Sequence, residues 1–211
     1  MPESNLNTFD LRIKDLSRRF GERTVFSDIS AAAIPGRSLV ITGPNGSGKS
    51  TLLKIIAGLL SPTSGEVSLT VDGQTVTDDA RRGVLGYVAP DLVLYRELSG
   101  VENLQFFSQV AGFEPSIEYL RDLLNFVGLK GRGREFVGNY SSGMRQRLKY
   151  AFALLRRPPV LLLDEPTANL DAAGVEMARA VVKDQQDRGI LVIATNEPNE
   201  VAWGETVVKL S

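Results

Sequence analysis

The chain has 211 residues, 43% of them apolar and 23% charged, and a net charge of −1, an ordinary balance for a globular domain that argues against general affinity for nucleic acid. It contains no Cys and no His, which excludes disulfides, thiolate metal sites and cysteine nucleophiles, and removes histidine as base, ligand or pH switch. Met1 to Asp10 is polar, unlike a signal peptide, and no run approaches the roughly 18 apolar residues of a membrane span, so a cytoplasmic, reduced setting is expected.

In chain order, Leu11-Arg12-Ile13 alternates like a strand, and Arg23 to Phe26 and Ser30 to Ile34 read as two short strands ended by Pro35-Gly36. Arg37 to Thr42 is a strand, followed by a helix that ends at Gly58. Pro62 to Gly65 reads as a turn, Glu66 to Val71 as a strand, and Val84 to Val88 as another. From Ser99 the period becomes helical: Val101, Leu104 and Phe107 share a face, as do Ile117, Leu120, Leu123, Leu124 and Val127, and Met144 to Leu155 is a third helix. Val160 to Leu163 is an uninterrupted apolar run, the mark of a strand covered on both faces. Ala172 to Arg188 reads as helix, Ile190 to Ala194 and Thr206 to Leu210 as strands. The alternation predicts an α/β core, about 1–97 and 158–211, with an inserted helical lobe at about 98–157.

Residues Gly43, Pro44, Asn45, Gly46, Ser47, Gly48, Lys49, Ser50 and Thr51 complete a G-x-x-x-x-G-K-[ST] phosphate loop between a strand and a helix. Glycines let the backbone curl so that its N–H groups converge on phosphate oxygens, and the helix start adds its positive end. Lys49 is expected to reach the β- and γ-phosphates and Ser50 to ligate Mg²⁺. Downstream, the run from Val160 ends in Asp164 and Glu165. Asp164 suits Mg²⁺, a hard cation with oxygen ligands. Glu165 suits a base that orients or deprotonates the attacking water.

With these motifs in this order, the chain resembles the ATP-binding subunit of ATP-binding-cassette (ABC) transporters over nearly its whole length. Gly43–Thr51 matches the Walker A loop and Leu161–Glu165 the Walker B strand, and Tyr140-Ser141-Ser142-Gly143-Met144 is similar to the signature motif. Pro166 to Asp171 resembles the D-loop, and Phe20 falls where the family places an aromatic that stacks on adenine. The resemblance implies a P-loop NTPase core with a mixed sheet and a helical insertion. It implies that Ser141, Ser142 and Gly143 complete the γ-phosphate pocket of an opposite subunit. Two chains, identical or paired, would then close on two ATP molecules. It further implies ATP and Mg²⁺ as cofactors, transmembrane permease subunits as partners, and a place on the inner face of the cell membrane. The region from Tyr87 to Phe107 is the expected permease contact.

Two positions depart most from the family pattern, and Ser142, where a glycine is frequent in the signature, is a milder change. The family's Q-loop glutamine is replaced by Pro90, followed by Asp91, and its H-loop histidine by Asn196. Proline offers no side-chain acceptor and no N–H. Asparagine donates from its amide but carries no charge. These losses touch hydrolysis more than binding: one lost transition-state hydrogen bond costs roughly 2.7–4 kcal/mol, or about 10² to 10³ in rate. Slow ATP hydrolysis driving transport, of the export type and similar to haem-exporter subunits, is therefore the leading expectation. The alternatives are an ATP-gated regulatory cassette that hydrolyses little, and a non-transport ATPase of the same superfamily.

Overall fold

The computed structural model describes residues 8–211; of the polar N-terminal stretch, residues 1–7 lie outside them. The chain forms two compact units. The first takes the residues up to Tyr87 together with Pro159–Pro166 and Val182–Ser211, the second Val88–Pro158 and Thr167–Val181.

The first unit begins with an antiparallel sheet of order β2-β1-β4-β5, built from β1 (Phe9–Phe20), β2 (Arg23–Ala33), β4 (Ser64–Val71) and β5 (Gln74–Val76). The two short strands expected between Arg23 and Ile34 are one strand, and the alternation at Leu11 to Ile13 belongs to a strand of 12 residues. Both run through irregular register. Asp15 and Asp28 adopt left-handed φ of 48° and 54°, a conformation that Asp tolerates among non-glycine residues. The Asp15 N–H donates to Ser30 Oγ at 2.9 Å and the Asp28 N–H to Ser17 Oγ at 3.0 Å, so the amides displaced from the ladder keep partners.

The second sheet has the order β6-β7-β8-β3-β9, from β3 (Leu39–Thr42), β6 (Leu85–Val88), β7 (Val160–Asp164), β8 (Ile190–Thr195) and β9 (Thr206–Lys209). The mixed sheet expected from the sequence is thus shared between an antiparallel sheet and one with parallel pairs. β7 pairs parallel with β8, and β3 pairs parallel with both β8 and β9. Every residue of β7 and β8 is buried, which is why Val160 to Leu163 carries no polar residue. Each buried Leu or Ile contributes about 1.5–3 kcal/mol. The helix after β3, α1 (Lys49–Ile56), turns Leu52, Leu53, Ile55 and Ile56 into this core. α2 (Asp78–Gly83) precedes β6.

The second unit carries α3 (Gly100–Val110), α4 (Ile117–Phe126), a short 3₁₀ turn at Val137–Asn139 and α5 (Ser142–Leu154). α3 starts with a capping box: the Glu102 N–H donates to Ser99 Oγ, and the Ser99 N–H donates to Glu102 Oε2 at 2.7 Å. Asn103 is fully buried and donates to the carbonyls of Tyr95, Leu98 and Ser99, fixing the loop that enters α3. On α4, Leu120, Leu123 and Leu124 are buried, whereas Ile117, one turn before them on the same face, is exposed. A long helix, α6 (Ala172–Arg188), follows β7, and a single turn, α7 (Pro198–Val201), leads from β8 towards β9.

Candidate functional site

Parallel pairing decides which residues meet. Thr42 is in register with Thr195, and Asp164 with Ala194, so β3, β8 and β7 end at one edge of the sheet. The next residues, Gly43, Asn196 and Glu165, therefore emerge together at the carboxyl edge, where open α/β sheets bind ligands.

The loop from Gly43 to Gly48 needs its glycines. Gly43, Gly46 and Gly48 have φ of 153°, 83° and 100°. A Cβ on Gly48 would stand 2.4 Å from Val25 Cγ1, and one on Gly43 2.5 Å from the Leu210 carbonyl oxygen. Such a loop leaves its amides facing a concave space. The buried Ser47 hydroxyl oxygen has no hydrogen-bond partner among the described residues, as fits a cradle shaped for an anion. Lys49 is buried, and its ammonium donates to the carbonyls of Gly43 at 2.9 Å and Pro44 at 3.2 Å. The same ammonium lies 3.8 Å from Glu165 Oε1.

A cleft of about 540 Å³ opens over this loop, lined by Phe20, Arg23, Val25, Asn45, Gly46, Gly48, Lys49, Ser50, Thr51 and Glu165. Phe20 is 49% exposed, so it is not a core residue. The Arg18 guanidinium covers one face of its ring, 4.3 Å from the centroid. Arg23 and Val25 were not legible as cleft residues in the sequence, because nothing local ties β2 to the phosphate loop.

Asp164 is buried at the end of β7 and accepts a hydrogen bond from the Tyr87 hydroxyl at 3.2 Å. Glu165 adopts φ of 50°, uncommon for a non-glycine residue and a feature of functional turns. Its N–H donates to the Ala194 carbonyl at 2.9 Å. Burial pushes the Glu165 carboxyl above the usual range; Lys49 opposes this, while Glu200, Asp164 and Glu197 add to it. Asn196 donates from its side-chain amide to Asn45 Oδ1 at 3.1 Å. The preceding Thr195 hydroxyl donates to the buried Glu200 carboxylate and accepts from the Glu197 N–H, which holds the end of β8 in place.

For Mg²⁺ the donor set is one hydroxyl, Ser50, and one buried carboxylate, Asp164. Among the described residues no cluster of three metal-ligating side chains exists. The Ser50 hydroxyl and the Asp164 carboxylate are hard oxygen donors of the kind that Mg²⁺ takes.

The second unit holds the remaining candidates. Ser141 caps α5, accepting from the Met144 N–H at 3.2 Å, so Ser142 and Gly143 form the first turn. A Cβ on Gly143 would lie 2.9 Å from the Asn169 carbonyl oxygen. Pro90 and Ala89 present their carbonyls to the Lys149 ammonium. A larger hollow of about 810 Å³ in this unit is lined mainly by α4 and the stretch from Leu129 to Phe136. Its lining includes no residue of the phosphate loop and neither Asp164 nor Glu165, so size does not mark the site.

A family model described as ABC transporter matches residues 26–168. Over 191 residues the chain is 39% identical to the cytochrome c biogenesis ATP-binding export protein CcmA of Rhizobium meliloti, covering 89% of this chain and 91% of the relative. It is 33% identical over 187 residues to the lantibiotic transport ATP-binding protein SrtF of Streptococcus pyogenes, with 88% and 79% covered. Among solved structures, it superposes with a TM-score of 0.83 on an ATP-binding subunit of an ABC transporter, at 29% identity, covering 95% of this chain and 85% of that one.

Proposed function

The chain belongs to the ABC transporter family of ATP-binding subunits, and from that premise we propose that two copies, or this chain and a paired cassette, close on ATP and hydrolyse it slowly to drive export through separate transmembrane permease subunits. The observation that carries the reading is Lys49, held by two loop carbonyls and 3.8 Å from Glu165. A fixed cation beside a poised carboxylate is what phosphoryl transfer to water requires.

The roles follow from chemistry. The loop amides and Lys49 hold the phosphates, and Phe20 offers the ring face that Arg18 leaves open to the adenine. Glu165 orients the attacking water and takes its proton. Ser50 and Asp164 hold Mg²⁺, which neutralises phosphate charge when bound. The Asn196 amide, beside Asn45, stands in for the histidine of the family. Ser141, Ser142 and Gly143 serve the nucleotide of the opposite subunit, through the N-terminal amides of α5. The domain is one cassette made of a core lobe and a helical lobe, working at the inner face of the membrane. Similarity to CcmA, whose name describes export, supports the export direction.

The test is ATP-driven pairing, followed by light scattering with Mg²⁺ and a Glu165→Gln variant, alongside turnover of the wild-type chain. Pairing on ATP but not ADP, with measurable turnover lost in the variant, is the expected result. A chain that stays monomeric with ATP refutes pairing of two copies, and one that also shows no turnover, alone or with a paired cassette, refutes the reading. One alternative has specific support: Pro90 and Asn196 favour an ATP-gated cassette that hydrolyses little. Wild-type turnover equal to that of Glu165→Gln, with pairing intact, would select it.

A further inference from the structure

Lys149 is set on α5, two turns after its first residue. Its ammonium donates to the Ala89 carbonyl at 3.1 Å and also to the carbonyl of Pro90. Two of its three protons are thus committed to successive carbonyls of one loop. Pro90 has neither an N–H nor a polar side chain, so its carbonyl is the one polar group it offers. These are charge-assisted bonds, about twice as strong as neutral ones. Partial burial pushes the Lys149 ammonium below its ordinary range; Asp91 opposes this and Arg145 adds to it. A cation drawn partly out of water between those neighbours, on a helix face, is a costly way to fill space.

We propose that Lys149 is a positioning residue that ties the Ala89–Pro90 backbone to α5, so that the loop after β6 and the Ser141–Gly143 turn shift together. The turn lies about 10 Å along the helix from Lys149, and α5 is unbroken between them. Loop displacement therefore reaches the turn through a rigid rod rather than through side-chain repacking. What the turn does on arrival rests on the proposed function. The tether itself does not.

The experiment compares wild-type chain with Lys149→Met, Lys149→Gln and Lys149→Arg. Hydrogen exchange of the peptide from Asp91 to Leu98, in the chain without nucleotide, reads the tether alone. Exchange is expected to speed up in Lys149→Met and Lys149→Gln and to stay at the wild-type rate in Lys149→Arg. Steady-state ATP turnover reads the coupling: kcat is expected to fall about 3- to 30-fold in the Met and Gln variants, with KM for ATP unchanged and Lys149→Arg near wild type. Circular dichroism confirms which variants are folded, and two neutral replacements guard against one that is not. Wild-type exchange in both neutral variants overturns the tether, whatever the chain does with ATP. Faster exchange with unchanged kcat overturns the coupling. Faster exchange in a chain that never pairs on ATP overturns the proposed function and leaves the tether standing.

Discussion

Asn196 and Asn45 are 151 residues apart in sequence, yet the side-chain amide of the first donates to the side-chain carbonyl of the second at 3.1 Å. The pair joins the residue after β8 to the phosphate loop. On the proposed reading this neutral amide stands in for the histidine of the family pattern, and it already has a hydrogen-bond partner in the loop.

Asn196→His is expected to raise kcat by roughly 10- to 100-fold, the worth of one hydrogen bond to a charged group, with little change in KM. The variant should also gain a pH dependence near the ordinary histidine range that the parent, which has no His, does not have. Stopped-flow release of phosphate between pH 5.5 and 8.5 measures both.

Glu165 sits above the ordinary glutamate range because burial outweighs Lys49. As a base it must be ionised, so turnover should fall towards acid at a higher pH than an exposed glutamate would give. Glu165→Gln should lower kcat by about 10² to 10⁴ and still bind ATP. The effect on stability has the opposite sense. Between the unfolded and the raised folded pKa the folded chain holds a proton that the unfolded chain releases, so stability declines as pH rises through that window. Above it the cost is fully present, and thermal melts at pH 8 should place Glu165→Gln at or above wild type.

Phe20 is half exposed, so removing it costs little stability. Phe20→Ala should weaken ATP binding by the worth of one stacked base, about 1–3 kcal/mol, and raise KM accordingly with kcat kept. Phe20→Trp should restore binding. Titration with a fluorescent ATP analogue separates these outcomes, and an unchanged affinity in the alanine variant would remove Phe20 from the site.

Gly48→Ala forces a Cβ to 2.4 Å from Val25 Cγ1 at a φ of 100°. A cost on the order of 1–3 kcal/mol from the backbone alone, plus the displaced valine, should lower the melting temperature by several degrees. Nucleotide binding should fall as well. Val25→Ala in the same chain relieves the clash but not the φ, so it should restore the melting temperature only in part.

The phosphate loop was legible because its geometry accepts few residues other than glycine at Gly43, Gly46 and Gly48. The strand ending at Asp164 was legible because a strand buried on both faces must be apolar throughout. What escaped notice depends on long-range pairing. The Asn196–Asn45 contact and the Tyr87 hydroxyl on Asp164 depend on which strands lie side by side, which no local pattern encodes. β1 and β2 read as fragments because bulges at Asp15 and Asp28 break the two-residue period. Lys149 carries no local sequence signal, because its two carbonyl partners depend on where the chain after β6 returns.

The bare Cα of Gly48 lets β2 lie directly against the phosphate loop, with Val25 and Phe26 in contact where a methyl group would otherwise stand. The strand that leads back to Phe20 and the loop that carries Lys49 thus share one wall. On the proposed reading the Phe20 ring and the Lys49 ammonium, both lining the cleft, would bracket the two ends of a nucleotide, so that length joins charge as a criterion of fit.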